Sequence, residues 1–123
     1  MPAVYRTRTR PIAFVDTDMA GIVHFSRFFV LMEEIEQEFL RSRGLSVIFE
    51  EDGTKYGFPR VAAQCDFKRP VVFEDILDAT LRVERVGEVV AVGRVSTCCI
   101  LHGHPTLSAR PIPPRARQIL ERD

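Results

Sequence analysis

The chain has 123 residues, 46% hydrophobic and 28% charged, with 17 basic and 17 acidic side chains in formal balance. That length suits a single domain spanning residues 1–123, large enough to bury a core without disulfides or metals. The composition excludes disorder, and zero net charge supplies no electrostatic reason for a nucleic-acid partner.

Apolar runs such as Phe28 to Met32 fall far short of the roughly 18 residues of a membrane span. The Arg-bearing N-terminus lacks the apolar stretch and cleavage site of a signal peptide. Cys65, Cys98 and Cys99 are odd in number with two adjacent, which is no disulfide framework. A cytoplasmic, non-membrane protein is the expectation.

Val4 to Phe14 alternates, with Arg6, Arg8 and Arg10 on one face and Tyr5, Thr7 and Thr9 on the other. This predicts a strand, and Pro11 puts it at a sheet edge. Val15 to Gly21 is rich in turn formers. Ser26 is the expected N-cap and Gly44 the stop of a helix over 27–43. Phe28-Phe29-Val30-Leu31-Met32 is apolar all round, which predicts burial on every side, whereas Ile35, Phe39 and Leu40 leave a narrow stripe in the second half. Residues 45–57 read as irregular, with a helical turn near 46–50.

From Pro59 the period becomes two. Val61, Ala63, Cys65 and Phe67 predict one strand, and Leu77, Ala79, Leu81 and Val83 another. Glu88 to Ile100 reads as one central strand, or a strand bent at Gly93. A turn at His102-Gly103-His104, a short strand over 106–112 and a C-terminal helix after Pro113-Pro114 complete the chain. The order predicts an α+β architecture with an antiparallel sheet curled around one long helix.

The chemistry concentrates in Asp16-Thr17-Asp18-Met19-Ala20-Gly21-Ile22-Val23-His24-Phe25-Ser26 and the apolar helix start that follows. This segment resembles the active-site segment of the hotdog-fold thioesterases of the 4-hydroxybenzoyl-CoA thioesterase family. Gly44-Leu45-Ser46, Phe58-Pro59-Arg60-Val61, Cys65-Asp66-Phe67-Lys68-Arg69-Pro70 and Pro111-Ile112-Pro113 extend the resemblance over most of the chain. It implies a curved sheet around the central helix, a homodimer or homotetramer, and hydrolysis of an acyl thioester of coenzyme A or acyl carrier protein. Coenzyme A enters as part of the substrate, and no cofactor is implied. By the same comparison the sheet is one strand short between Arg82–Gly87 and Glu88–Cys99; either 88–100 takes that strand's place or a partner subunit completes the sheet.

Asp18 stands in the place of the family's catalytic carboxylate. A carboxylate there can attack the thioester carbonyl directly or activate water as a general base. The helix start beside it offers unpaired N–H groups and a positive dipole end to an oxyanion, with the Phe25 N–H the first candidate by its family position. Asp16 reads as a structural turn acceptor. His24 could orient carbonyl or water, pair with Asp18, or simply mark the helix entry. Gly21, Val23 and Ser26 belong to the same substrate-facing loop, and Phe28 and Phe29 are candidates for the acyl pocket.

Arg60, Lys68 and Arg69 could meet the phosphates of coenzyme A. Glu33, Glu34, Glu36 and Glu38 are a solvated face or a dimer contact. Cys98, Cys99, His102 and His104 make no metal site, because adjacent strand residues point to opposite faces. A non-catalytic acyl-thioester-binding or regulatory module is the alternative. A dehydratase would want a His with an acidic partner in its own setting, which is not found.

Overall fold

The computed structural model describes residues 3–86, 89–92, 95–98, 100–101 and 112–121, and side chains within 3–83 and 112–121. Strand β1 (Val4–Arg8) alternates as its sequence dictates. Tyr5 and Thr7 face inward, each donating a 2.8 Å hydrogen bond to Glu38, while Arg6 and Arg8 are exposed. The strand stops at Arg8 rather than running to Phe14. Pro11 cannot donate to a ladder, and residues Phe14–Asp16 close instead into a 3-10 turn.

Helix α1 (Phe25–Ser42) begins two residues earlier than predicted, and its N-cap is His24, not Ser26. The imidazole Nδ1 accepts the Ser26 N–H at 3.3 Å, doing the work the sequence reading gave to a serine hydroxyl. At the far end Gly44 takes a φ of +76°, and Leu45 and Gly44 donate back to the Leu40 and Arg41 carbonyls at 2.8 and 3.1 Å. That left-handed stop satisfies the last carbonyls and suits glycine.

Residues 46–50 are not helical. Strands β2 (Ile48–Glu51) and β3 (Thr54–Gly57) form a hairpin about Asp52-Gly53, both at positive φ, a dipeptide well suited to such a turn. The Glu51 carboxylate then accepts the N–H groups of Arg115 and Ala116 at 3.2 and 3.0 Å, capping helix α2 (Pro114–Glu121) from a distance.

Strand β4 (Arg60–Ala63) ends before Cys65, so 64–70 lie outside the sheet. After β5 (Asp78–Val86), the stretch predicted as one strand, or one bent at Gly93, divides into β6 (Val89–Val92) and β7 (Val95–Cys98), paired antiparallel, with β8 (Ile100–Leu101) beyond. The missing strand is therefore present, and the shortening is taken up as four-residue strands. Consecutive antiparallel neighbours β5, β6 and β7 keep the meander's directions intact. The predicted turn at 102–104 and most of the strand over 106–112 lie outside the described residues.

The main sheet runs β1-β5-β6-β7-β4, with β2-β3-β8 as a smaller second sheet. Helix α1 touches both edges of the main one: Glu38 bonds β1, and Glu36 pairs with Arg60 of β4. A sheet that meets one helix at both edges must curve around it. Phe39 and Leu40 pack on Leu81 and Val83 of β5 and on Ala116 and Leu120 of α2.

The first half of α1 differs from expectation. Leu31 alone is buried, against Ile12, Val23 and Val71, while Phe28, Phe29, Val30 and Met32 are half-buried and Phe25 is 60% exposed. The sheet covers one side of the helix, and the loop carrying Val71 covers only part of the other.

Candidate active site

The site grows from a buried ion cluster. Asp16 is fully buried, with Arg10 bonding both carboxylate oxygens at 2.6 and 3.1 Å, Arg27 at 2.8 Å and the Ala13 N–H at 2.8 Å. The Arg10 hydrogen bonds, opposed by burial and reinforced by Ala13 and Arg27, hold the Asp16 carboxyl well below the usual carboxylate range. Its carbonyl accepts the His24 N–H at 2.9 Å. One residue thus ties the end of β1, the 3-10 turn and the first turn of α1 together. This agrees with the turn-acceptor reading and adds two arginines to it.

Between those anchors the chain makes a tight excursion. Thr17 and Val23 form a β-bridge, Asp18 donates to the Ile22 carbonyl at 2.9 Å, and Gly21 donates back to Asp18 at 3.0 Å. Gly21 adopts a φ of +81° with open space around its Cβ position, so backbone conformation, not crowding, calls for glycine. Asp18 Oδ1 accepts the Ala20 N–H at 2.9 Å, which fixes the carboxylate's orientation.

Asp18 opens onto a cleft of about 480 Å³, with Val23, Phe25 and Phe28 on one side and Phe67, Lys68 and Arg69 on the other. Of the predicted site residues the cleft gathers Asp18, Val23, Phe25, Phe28, Lys68 and Arg69. Gly21, His24, Ser26, Phe29 and Arg60 are not in its wall; Gly21 shapes the loop, and Arg60 is held by Glu36 at 2.5 Å. Phe67, Ile22, Pro70 and Val71 are additions. Phe67 reads in the sequence as one more inward position of a strand, and only the end of β4 at Ala63 releases it.

The N–H groups around the helix start are nearly all engaged: Val23 with Val71, His24 with Asp16, Arg27 with His24, and Ser26 with the His24 ring. Among the described residues the Phe25 N–H has no acceptor. It lies at the N-terminus of an 18-residue helix, where the dipole is positive, and Phe25 lines the same cleft as Asp18.

His24 makes no hydrogen bond to Asp18; its Nδ1 lies 2.8 Å from the Ser26 hydroxyl, and its ring packs on Phe25 at 4.5 Å. Nδ1 accepts a backbone N–H, so the neutral ring carries its proton on Nε2. His24→Ala removes this cap and is expected to cost about 1 kcal/mol in a urea or thermal unfolding measurement.

Metal ligands form no cluster of three or more among the described residues, and the side chains of Cys98, Cys99, His102 and His104 lie outside them. No described helix is long and apolar enough to cross a membrane.

A curved antiparallel sheet around one long helix is the hotdog architecture. A solved 1,4-dihydroxy-2-naphthoyl-CoA thioesterase from Synechocystis superposes with a TM-score of 0.76 at 21% identity, covering 96% of each chain. The sequence profile of the Thioesterase superfamily matches residues 20–98, and the chain belongs to that family of thioester hydrolases. A protein of Aquifex aeolicus (strain VF5) with a provisional esterase name is 32% identical over 119 residues, 84% of this chain and 88% of that one. A 1,4-dihydroxy-2-naphthoyl-CoA hydrolase of Prochlorococcus marinus (strain MIT 9313) is 37% identical over 84 residues, 63% of this chain and 56% of that enzyme. The chain thus spans little more than half the length of that hydrolase. The resemblance carried by Asp16 to Ser26 is borne out as a family assignment.

Proposed function

We propose that the protein hydrolyses acyl-CoA thioesters, with aromatic acyl groups its preferred substrates and Asp18 its catalytic carboxylate. The observation that carries the reading is the meeting, in one cleft, of the Asp18 carboxylate and the unpartnered Phe25 N–H. The aromatic preference is supported by the 1,4-dihydroxy-2-naphthoyl-CoA hydrolase among the relatives and by the phenylalanine rings around the cleft.

Asp18 acts by one of two routes. As nucleophile, its oxygen bonds to the thioester carbonyl carbon, the thiolate of coenzyme A departs, and water cleaves the resulting anhydride. As general base, it takes a proton from the water that attacks the same carbon. Both routes put negative charge on the carbonyl oxygen, which the Phe25 N–H and the helix dipole stabilise. A thiol of ordinary pKa near 8.5 leaves without a strong acid.

Lys68 and Arg69 flank the cleft with no ion pair to a described residue, a suitable berth for the phosphates of coenzyme A. Replacing both by alanine is expected to raise KM about tenfold, with little change in kcat and a weaker dependence of KM on salt. Steady-state kinetics at two ionic strengths checks this.

Strand β4 lies at a sheet edge with every residue exposed, and Phe14 and Phe73 pack together on the surface. These features support assembly with a second copy, to be read from the solution mass. The odd cysteine count is compatible with a reducing, cytoplasmic setting.

The test is thiol release from benzoyl-, naphthoyl-, hexanoyl- and palmitoyl-CoA by the purified protein. Turnover of the aromatic thioesters at kcat/KM well above the aliphatic ones supports the reading. Binding without turnover, in folded protein, would move it to the non-catalytic module, and turnover of an acyl carrier protein alone would change the substrate's carrier.

A further inference from the structure

The side of the cleft facing helix α1 is made by a residue that no strand or helix holds. Phe67 sits in the segment 64–70, between the end of β4 and Val71, and is 52% exposed. Its ring meets two rings of α1's first turn: Phe28 at 5.4 Å with planes 59° apart, and Phe25 at 6.3 Å in an edge-to-face arrangement of 77°. Phe25 is itself 60% exposed. Leaving two phenylalanines half in water forgoes much of the burial free energy such side chains usually contribute. Here the exposed surface lines the cleft that Asp18 opens onto.

Three rings at these separations have the spacing of favourable aromatic pairs, with their edges and faces turned at large angles to one another. A planar guest entering beside them can stack on one face and meet an edge of another. A saturated ring of equal carbon count offers the same apolar area but neither the flat face nor the quadrupole. Ile22, Val23, Pro70 and Val71, the remaining apolar wall, would treat the two guests alike.

We infer that Phe67 is a specificity-determining residue, which with Phe25 and Phe28 forms an aromatic clamp selecting flat aryl acyl groups over saturated ones. The inference rests on the acyl-thioester reading of the cleft. It assigns to one side chain of an irregular segment the discrimination that the helix residues alone cannot make, because among the described residues Phe67 is the aromatic ring that meets both of them from outside the helix. The rings of Phe25 and Phe28 are fixed to the helix; Phe67 supplies the second jaw.

The experiment compares a matched pair, benzoyl-CoA and cyclohexanecarbonyl-CoA, in the wild type, Phe67→Leu and Phe67→Tyr. The quantity read is the ratio of kcat/KM for the aromatic over the saturated substrate, which cancels differences in folded fraction. Leucine keeps apolar bulk without a ring and is expected to lower the ratio about threefold to tenfold, while tyrosine keeps it near the wild-type value. An unchanged ratio in Phe67→Leu, or a ratio lowered equally by tyrosine, overturns the clamp.

The same three proteins are titrated with two inert thioethers, phenacyl-CoA and 2-cyclohexyl-2-oxoethyl-CoA. If the wild type hydrolyses neither thioester, the catalytic proposal fails, and the ratio of the two dissociation constants still decides the clamp. A wild-type preference for phenacyl-CoA that Phe67→Leu removes supports it. Equal affinities in the wild type, or no binding of either compound, overturn it.

Discussion

Asp16→Ala is expected to lower the unfolding free energy by about 3 kcal/mol, a drop of roughly 10 °C in Tm, although Asp16 sits in a loop. The side chain is fully buried and pairs with Arg10 and Arg27 at once. Its removal takes away the carboxylate that Arg27 pairs with, leaves Arg10 to Glu34 alone, and frees the Ala13 N–H. Both arginines remain about one-third exposed and can take up water, which holds the loss to the lower end of the range for broken buried pairs.

The same cluster sets an acid limit. The folded-state pKa of Asp16 lies below its unfolded value, so the folded protein binds fewer protons there than the unfolded chain. The stabilisation is complete above about pH 4, the ordinary aspartate range, and is lost progressively as the pH falls toward the folded-state value. Thermal melts from pH 7 down to pH 3 should show a steeper loss in the wild type than in Asp16→Ala. Parallel curves would mean that folding does not lower the Asp16 pKa.

This cluster also marks where the sequence could be read and where it could not. The alternation of Tyr5 and Thr7 against Arg6 and Arg8 was legible, because a two-residue period has one physical meaning, and those faces stand in the structure as read. Gly44 was legible for a similar reason: a left-handed stop after a helix suits glycine. The partners of Asp16 were not. Arg10 and Arg27 lie 6 and 11 residues away, and nothing in the pattern distinguishes an arginine aimed at a buried carboxylate from one aimed at water.

His24 shows another limit. A Ser two residues on is the commoner cap, and only the geometry gives the imidazole that role. Asp52-Gly53 is a hairpin signal in the sequence, but the flanking residues 48–51 and 54–57 are too short and mixed to show alternation, and the pairing of Phe49 with Tyr56 appears only in the fold. The valine-rich stretch 88–100 reads as one central strand or a strand bent at Gly93, because Val89–Val92 and Val95–Cys98 are alike in composition and only their antiparallel pairing separates them. In the site, the motif located Asp18 and the helix start. Phe67 was hidden inside an apparent strand pattern that the fold abandons at Ala63.

Asp18→Asn is expected to have the largest catalytic effect of any single change. Asparagine keeps the size of the side chain, and its Oδ1 can still accept the Ala20 N–H that orients the group, so loop and fold are expected to survive. What is lost is the negative charge, and with it both nucleophilic attack and proton abstraction. Asp16 cannot substitute, because its oxygens are occupied by Arg10, Arg27 and Ala13. The Phe25 N–H and the helix dipole remain, which leaves residual rate from electrostatic stabilisation alone.

The most direct measurement is therefore kcat/KM for thiol release from benzoyl-CoA by wild type and Asp18→Asn, with Tm taken on both preparations. The account predicts Tm values within about 2 °C and a fall of at least about a hundredfold in kcat/KM, which is roughly 2.7 kcal/mol of transition-state stabilisation. Retention of more than about one-third of wild-type kcat/KM in a folded Asp18→Asn protein would contradict it, and would place the reacting carboxylate elsewhere.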